Sequence, residues 1–259
     1  MAINNNTSDI NQILKQLTLT DINDENSKTI KIKDSFIETH QMSGTNTAGQ
    51  NAMISTNNQI TVPYFAGFRP SLWNNNFFYI VSTNTCEVDI YYIDSNYDEQ
   101  IYNITTVPND VFTRLNFNIR CVNKIVKISG VASATITIRF EPVEIYPSGN
   151  NFYYAQISQG RSFFPLYMVP RGKKVRVSSI DYYRNTSTST LSLLKWNKTN
   201  NADTAEEPAV VYQFIVDGIL TADFETERYF TEGEVLGWFN SNTTSTSNTI
   251  NATYEIYNV

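Results

Sequence analysis

Along much of the chain, apolar and polar residues alternate with period two, the pattern of strands that have one buried and one wet face. Ile30 and Ile32 alternate with Lys31 and Lys33 in a first predicted strand over residues 29–37. Val88 and Ile90, continuing to Tyr92, alternate with Glu87, Asp89 and Tyr91. Leu115, Phe117 and Ile119 alternate with Arg114, Asn116, Asn118 and Arg120; Ile136, Ile138 and Phe140 alternate with Thr135, Thr137 and Arg139. Turn signals recur about every 8–12 residues with no helical period between them, which predicts antiparallel β structure.

Between Arg161 and Ser179 the pattern bends. Pro170 fixes its own φ and holds Val169 extended, while Gly172 is free to take positive φ. Val175 and Val177 then alternate with Lys174, Arg176 and Ser178. Further strands are expected at 152–157, 180–183, 191–196, 210–216, 229–239 and 252–257, with a long loop at 43–59. Tyr64, Phe65, Phe68, Trp73, Phe77 and Phe78 are candidates for one end of a core.

One segment departs from the strand pattern. In residues 9–17, Ile10, Ile13, Leu14 and Leu17 fall at i, i+3, i+4 and i+7, a helical stripe that Thr7, Ser8 or Asp9 can cap. So short a helix is not stable alone and has to bury its stripe, either on its own β domain or in an assembly. The polar stretch 21–28 sets it apart from the strands. Residues 142–151, with Pro142, Pro147, Gly149 and Asn150, supply the strongest break further on. The expected fold is therefore all-β: two tandem antiparallel β-sandwich or jelly-roll-like domains, 29–146 and 147–259, behind an N-terminal segment 1–28 with a short helix.

Composition narrows the classes of function. A chain of 259 residues with 41% hydrophobic and 17% charged content can bury a core without staples. Net charge −6 and a pI near 4.9 leave no basic stripe for nucleic acid. No apolar run is long enough for a membrane helix, and no signal-peptide pattern is present. Cys86 and Cys121 are too few for a disulfide scaffold; they are read as free thiols, with a bridge left open should their strands be neighbours.

The chemical candidates are weak against their structural alternatives. Asp94-Ser-Asn-Tyr-Asp98 has oxygens at alternate positions, yet Glu99 stands where a calcium loop needs Gly and Thr105 where it needs Glu, so a hairpin turn is expected. His40, the single histidine, is expected at a loop or strand edge and offers neither a metal pair nor a triad. Acids cluster at Asp203, Glu206 and Glu207 and at Asp223, Glu225, Glu227, Glu232 and Glu234; two held across a sugar would make a glycosidase. Their default reading is as solvated loop and strand residues. Arg161, Arg171, Lys173, Lys174 and Arg176 form a basic patch that fits an acidic neighbour or an exposed strand face. No catalytic residue, metal ligand or cofactor is assigned.

Several stretches taken in order resemble a known group. They are Cys86-Glu-Val-Asp-Ile-Tyr-Tyr-Ile-Asp-Ser-Asn-Tyr-Asp-Glu99, Phe117-Asn-Ile-Arg120, Val126-Lys-Ile-Ser-Gly130, Thr135-Ile-Thr-Ile138 and Tyr154-Ala-Gln-Ile-Ser-Gln-Gly-Arg161, leading to Tyr167-Met-Val-Pro-Arg-Gly-Lys173. Over roughly residues 80–195 the chain resembles structural proteins of tailed phages and other large double-stranded DNA viruses, with Arg171 where that family has Ala. The resemblance implies a non-enzymatic virion component: capsid decoration, head fibre, or neck or tail accessory. Its implied partners are capsid, portal or tail proteins and further copies of itself, with Ile10, Ile13, Leu14 and Leu17 as the assembly interface. The alternative is a carbohydrate-binding or carbohydrate-cleaving receptor protein that meets a host surface glycan.

Overall fold

The computed structural model describes residues 35–46, 51–53, 77–109, 113–115, 119–131, 134, 136–141, 152–157, 161–163, 166–197, 208–225, 228–242 and 246–259. All regular structure among them is β. The predicted helix with Ile10, Ile13, Leu14 and Leu17 lies outside the described residues, as do Asp203, Glu206, Glu207, Glu227 and the aromatic residues from Tyr64 to Trp73.

The strands are, in chain order, β1 (Ser35–Asn46), β2 (Asn51–Met53), β3 (Phe77–Ser82), β4 (Cys86–Asp94) and β5 (Glu99–Thr105). β6 (Thr113–Leu115), β7 (Ile119–Gly130), β8 (Ile136–Glu141), β9 (Phe152–Ile157), β10 (Arg161–Phe163) and β11 (Leu166–Met168) follow. The last are β12 (Lys173–Trp196), β13 (Ala209–Asp223), β14 (Phe230–Thr231), β15 (Val235–Asn242) and β16 (Thr246–Asn258). They form one eight-stranded sheet along β1-β16-β12-β15-β11, joined by β13, β14 and β2, and two four-stranded sheets, β10-β7-β4-β5 and β6-β3-β8-β9.

The expected boundary at residues 142–151 falls between two strands that pair with each other. That stretch joins β8 to β9, which pair antiparallel through Arg139 and Tyr153, and β10 pairs with β7. By sheet membership, β3 to β10 belong to the two smaller sheets, and β1 and β2 join β11 to β16 in the large one.

Three local expectations also change. The stretch 43–59 contains the end of β1 and all of β2, so it is not one loop. The strands expected at 175–177, 180–183 and 191–196 are one strand, β12, because the Thr- and Ser-rich residues between them accept extended backbone; irregular pairing with β13 between Tyr183 and Thr188 absorbs the break. On β4 the alternation slips after Ile90: a register shift between Tyr91 and Tyr92 turns Ile93 inward and leaves Tyr92 half-buried.

Two cores result. In the first, Ile80, Val88, Ile90, Ile93, Ile125 and Ile136 from the two smaller sheets meet Leu166, Met168, Trp196 and Phe239 of the large one. The second holds Val175, Ile180, Tyr182, Leu193, Trp238 and Ile250, and every buried member but Val169, which follows β11, comes from the eight-stranded sheet. A flat sheet could not bury these residues against each other, so this one folds over on itself. β11 and β15 form the wall between the cores: Leu166, Met168, Val235 and Phe239 face the first, Tyr167, Val169, Leu236 and Trp238 the second. Gly237 sits in that wall because a Cβ there would lie 2.6 Å from Leu166 Cδ2. Strands buried on both faces read as continuous apolar runs, as Leu166-Tyr-Met-Val169 and Val235-Leu-Gly-Trp-Phe239 do.

Candidate functional site

Most of the chemically suggestive residues are engaged in holding turns. Asp94 Oδ1 accepts the backbone N–H groups of Asn96 at 2.8 Å and Asp98 at 3.0 Å, so residues 94–98 form the expected hairpin turn. Glu234 accepts the Lys195 ammonium at 2.5 Å and the Thr231 N–H at 2.7 Å. The basic patch is spent inside the chain: Lys173 meets Glu99 at 2.7 Å, Arg171 meets Asp98 at 3.6 Å, and Arg176 clasps both oxygens of Glu255 at 2.8 and 2.9 Å. Lys174 lies 4.5 Å over the Tyr229 ring. Arg161 is on β10, paired with Val126.

Cys86 and Cys121 are free and buried. Their strands β4 and β7 are neighbours, but Cys86 pairs with Gly130 and Cys121 with Ile93, at opposite ends of the ladder. Burial pushes the Cys121 thiol well above its ordinary pKa, which keeps it protonated and unreactive.

The residues that converge do so at the junction between the large sheet and the β10-β7-β4-β5 sheet. Two turns singled out in the sequence touch there. The Arg171 N–H, just past the Pro170 corner, donates to the Tyr97 carbonyl at 2.7 Å, and Tyr97 takes φ +68° to present it. Gly172 has φ +69°, as the corner required. A few residues away, β7 grips the large sheet twice. The Asn123 amide donates to the Met168 carbonyl and accepts the Met168 N–H, both at 3.0 Å, so a side chain pairs with β11 as a backbone would. Next to it, Lys124 donates to Glu38 on β1 at 2.6 Å.

Glu38 Oε2 in turn lies 3.1 Å from His40 Nε2. His40 is on β1, an edge strand among the described residues, but it is buried, and its ring lies 4.4 Å from Tyr254 and 5.3 Å from Tyr167. Burial raises the Glu38 pKa, but the hydrogen bonds and charges of His40 and Lys124 outweigh it and bring the carboxyl down to about 2. Burial drives the phenols of Tyr167 and Tyr254 upward, so both stay neutral at physiological pH. None of Asn123, Glu38 or Lys124 carries a sequence signal; each reads as an ordinary polar position on a strand.

A second feature is a surface. β13 pairs with β12 along its length and, among the described residues, with no other strand. Its outward residues include Ile215 at 81% and Ile219 at 70% exposure, with Tyr183 of β12 opposite Ile219 and also exposed. Over 15 residues β13 carries no Lys, Arg or Pro. On its other face Tyr212, Phe214 and Phe224 cluster, Tyr212 and Phe224 being stacked at 4.3 Å.

The chain matches no protein-family model and no curated protein.

Proposed function

We propose that this protein is a non-enzymatic structural component of a virion, a capsid decoration, head fibre, or neck or tail accessory protein. In this reading it attaches to capsid, portal or tail through its N-terminal segment, whose helix offers Ile10, Ile13, Leu14 and Leu17, and associates with further copies of itself. Its three sheets make two sandwich-like units sharing the β11–β15 wall, one around each core. The resemblance over residues 80–195 supports the virion assignment.

β13 carries the self-association. Natural edge strands are blunted by lysine, proline, bulges or a cover, because their free N–H and C=O groups recruit other strands. Between Ala209 and Val216, β13 has no proline and no charge, and it exposes Ile215. Antiparallel pairing with a second copy about a two-fold axis closes the contact. A register centred on Gln213 places each Ile215 opposite Val211 and each Asp217 opposite Ala209, so no acid faces an acid. Light scattering on the purified protein is expected to give a dimer or higher oligomer, and Ile215→Lys with Ile219→Lys a folded species of lower mass. A wild-type monomer at tens of micromolar would remove β13 from the reading. Particle incorporation lost in Leu14→Asp with Leu17→Asp, with melting unchanged, tests the attachment separately.

The alternative is recognition of a host surface glycan. The Tyr212, Phe214 and Phe224 cluster, half-buried against the second core with Arg228 6.0 Å from Tyr212, is the aromatic group in this reading, since aromatic faces stack on sugar rings. Binding to host polysaccharide lost in Tyr212→Ala would favour this reading.

A further inference from the structure

We propose that His40 is a pH-sensitive latch on the junction between the eight-stranded sheet and the β10-β7-β4-β5 sheet, closed when the imidazole is protonated and loosened when it is neutral. Three observations carry this. First, the polar tie of β1 to β7 runs through one carboxylate: Glu38 on β1 takes Lys124 of β7 on Oε1 at 2.6 Å and His40 on Oε2 at 3.1 Å. A charged imidazole makes that second contact a charge-assisted hydrogen bond, roughly twice as strong as the neutral one. Second, burial alone disfavours the charged imidazole, but the ring is set against Tyr254 at 4.4 Å and Tyr167 at 5.3 Å, and Tyr254 is the cross-strand partner of Glu38 in the β1–β16 ladder. Aromatic faces favour a cation over a neutral ring. Third, Lys124 is itself held 4.4 Å over the Tyr91 ring, which keeps its ammonium beside Glu38 on the β7 side.

Among the described residues, the titratable and charged groups facing His40 are Glu38 on β1, Tyr254 on β16 and Tyr167 on β11, with Lys124 of β7 beyond Glu38 and Glu99 of β5 bearing on Tyr167. The tyrosines stay neutral and Glu38 ionises far below neutrality, so between pH 5 and 9 the group at this contact that changes charge is His40. A latch of this kind would couple the grip of β1 on the smaller sheet to the pH a particle meets.

The chain has a single histidine, so its imidazole resonances report this site alone. Titrating the folded, full-length protein by NMR is expected to give a midpoint above about 6.5, the unperturbed value. Each unit above it is a tenfold gain in the folded-to-unfolded ratio, present below about 6.5 and lost as pH rises through the folded midpoint. Glu38→Gln is expected to lower the midpoint, and His40→Gln to abolish the difference in melting temperature between pH 5.5 and 8.5. Should either variant fail to fold, the wild-type titration and melting curves decide. A folded midpoint at or below about 6.5, or wild-type melting that does not change from pH 5.5 to 8.5, overturns the proposal.

Discussion

The side chains that matter most at the residue scale are those standing in for backbone. Asn123 satisfies both polar groups of Met168, a residue fully buried between the cores. Asn123→Leu strands a buried N–H and a buried C=O, and a loss of about 2–4 kcal/mol is expected from chemical denaturation. Gly130 is fixed for a different reason: it takes φ +116°, and a Cβ would lie 2.7 Å from Cys86 Sγ and 2.9 Å from the Thr85 carbonyl oxygen. Since backbone cannot yield as a side-chain tip can, Gly130→Ala is expected to cost about 2–4 kcal/mol. The two residues differ in how far the sequence announced them. Gly130 follows Ser129 at a visible strand end, and Gly172 follows Pro170, so both turns were legible. Asn123 was not, because an amide pairing with a strand from another sheet obeys no local period.

At the scale of elements, alternation located most strands but could not say which of them pair. Periodicity reports which face of a strand is dry; it carries no information on which strand lies beside it. Residues 142–151 therefore read as a domain boundary although they connect paired strands. An inserted protease site between Pro147 and Gly149 is expected, once cleaved, to leave two fragments that elute together. They are held by the β8–β9 and β7–β10 ladders and by the first core. Fragments that separate without denaturant would contradict those ladders. The same limit hid β13: its composition marks a strand, but only the topology makes it an edge. Slips such as the one at Tyr92 were equally invisible, since a bulge changes register without changing composition.

For the whole molecule, acid is the condition that tests the junction. Glu38 has a folded pKa of about 2 against an ordinary 4.5. A lowered carboxyl pKa adds stability that is full above the ordinary value and drains away as pH falls through the folded one. Stability is therefore expected to decline between about pH 4.5 and pH 2, by on the order of 3 kcal/mol for this group at 1.36 kcal/mol per unit. Urea titrations at pH 6 and pH 3 on wild type and Glu38→Gln measure it; the variant should lack that share of the decline.

The pairing of β1 with β16 has a consequence for how the chain comes off the ribosome. Ser35 to Asn46 find their partners in Thr246 to Asn258, so β1 is made about 200 residues before the strand it needs. At about 5–20 residues per second it waits some 10–40 s with its hydrogen-bonding edge open. Lys124 and Tyr167, the contacts of Glu38 and His40 from β7 and β11, emerge well before β16. The partners of Glu38 and His40 on β7 and β11 are therefore already made while β1 still lacks its ladder to β16.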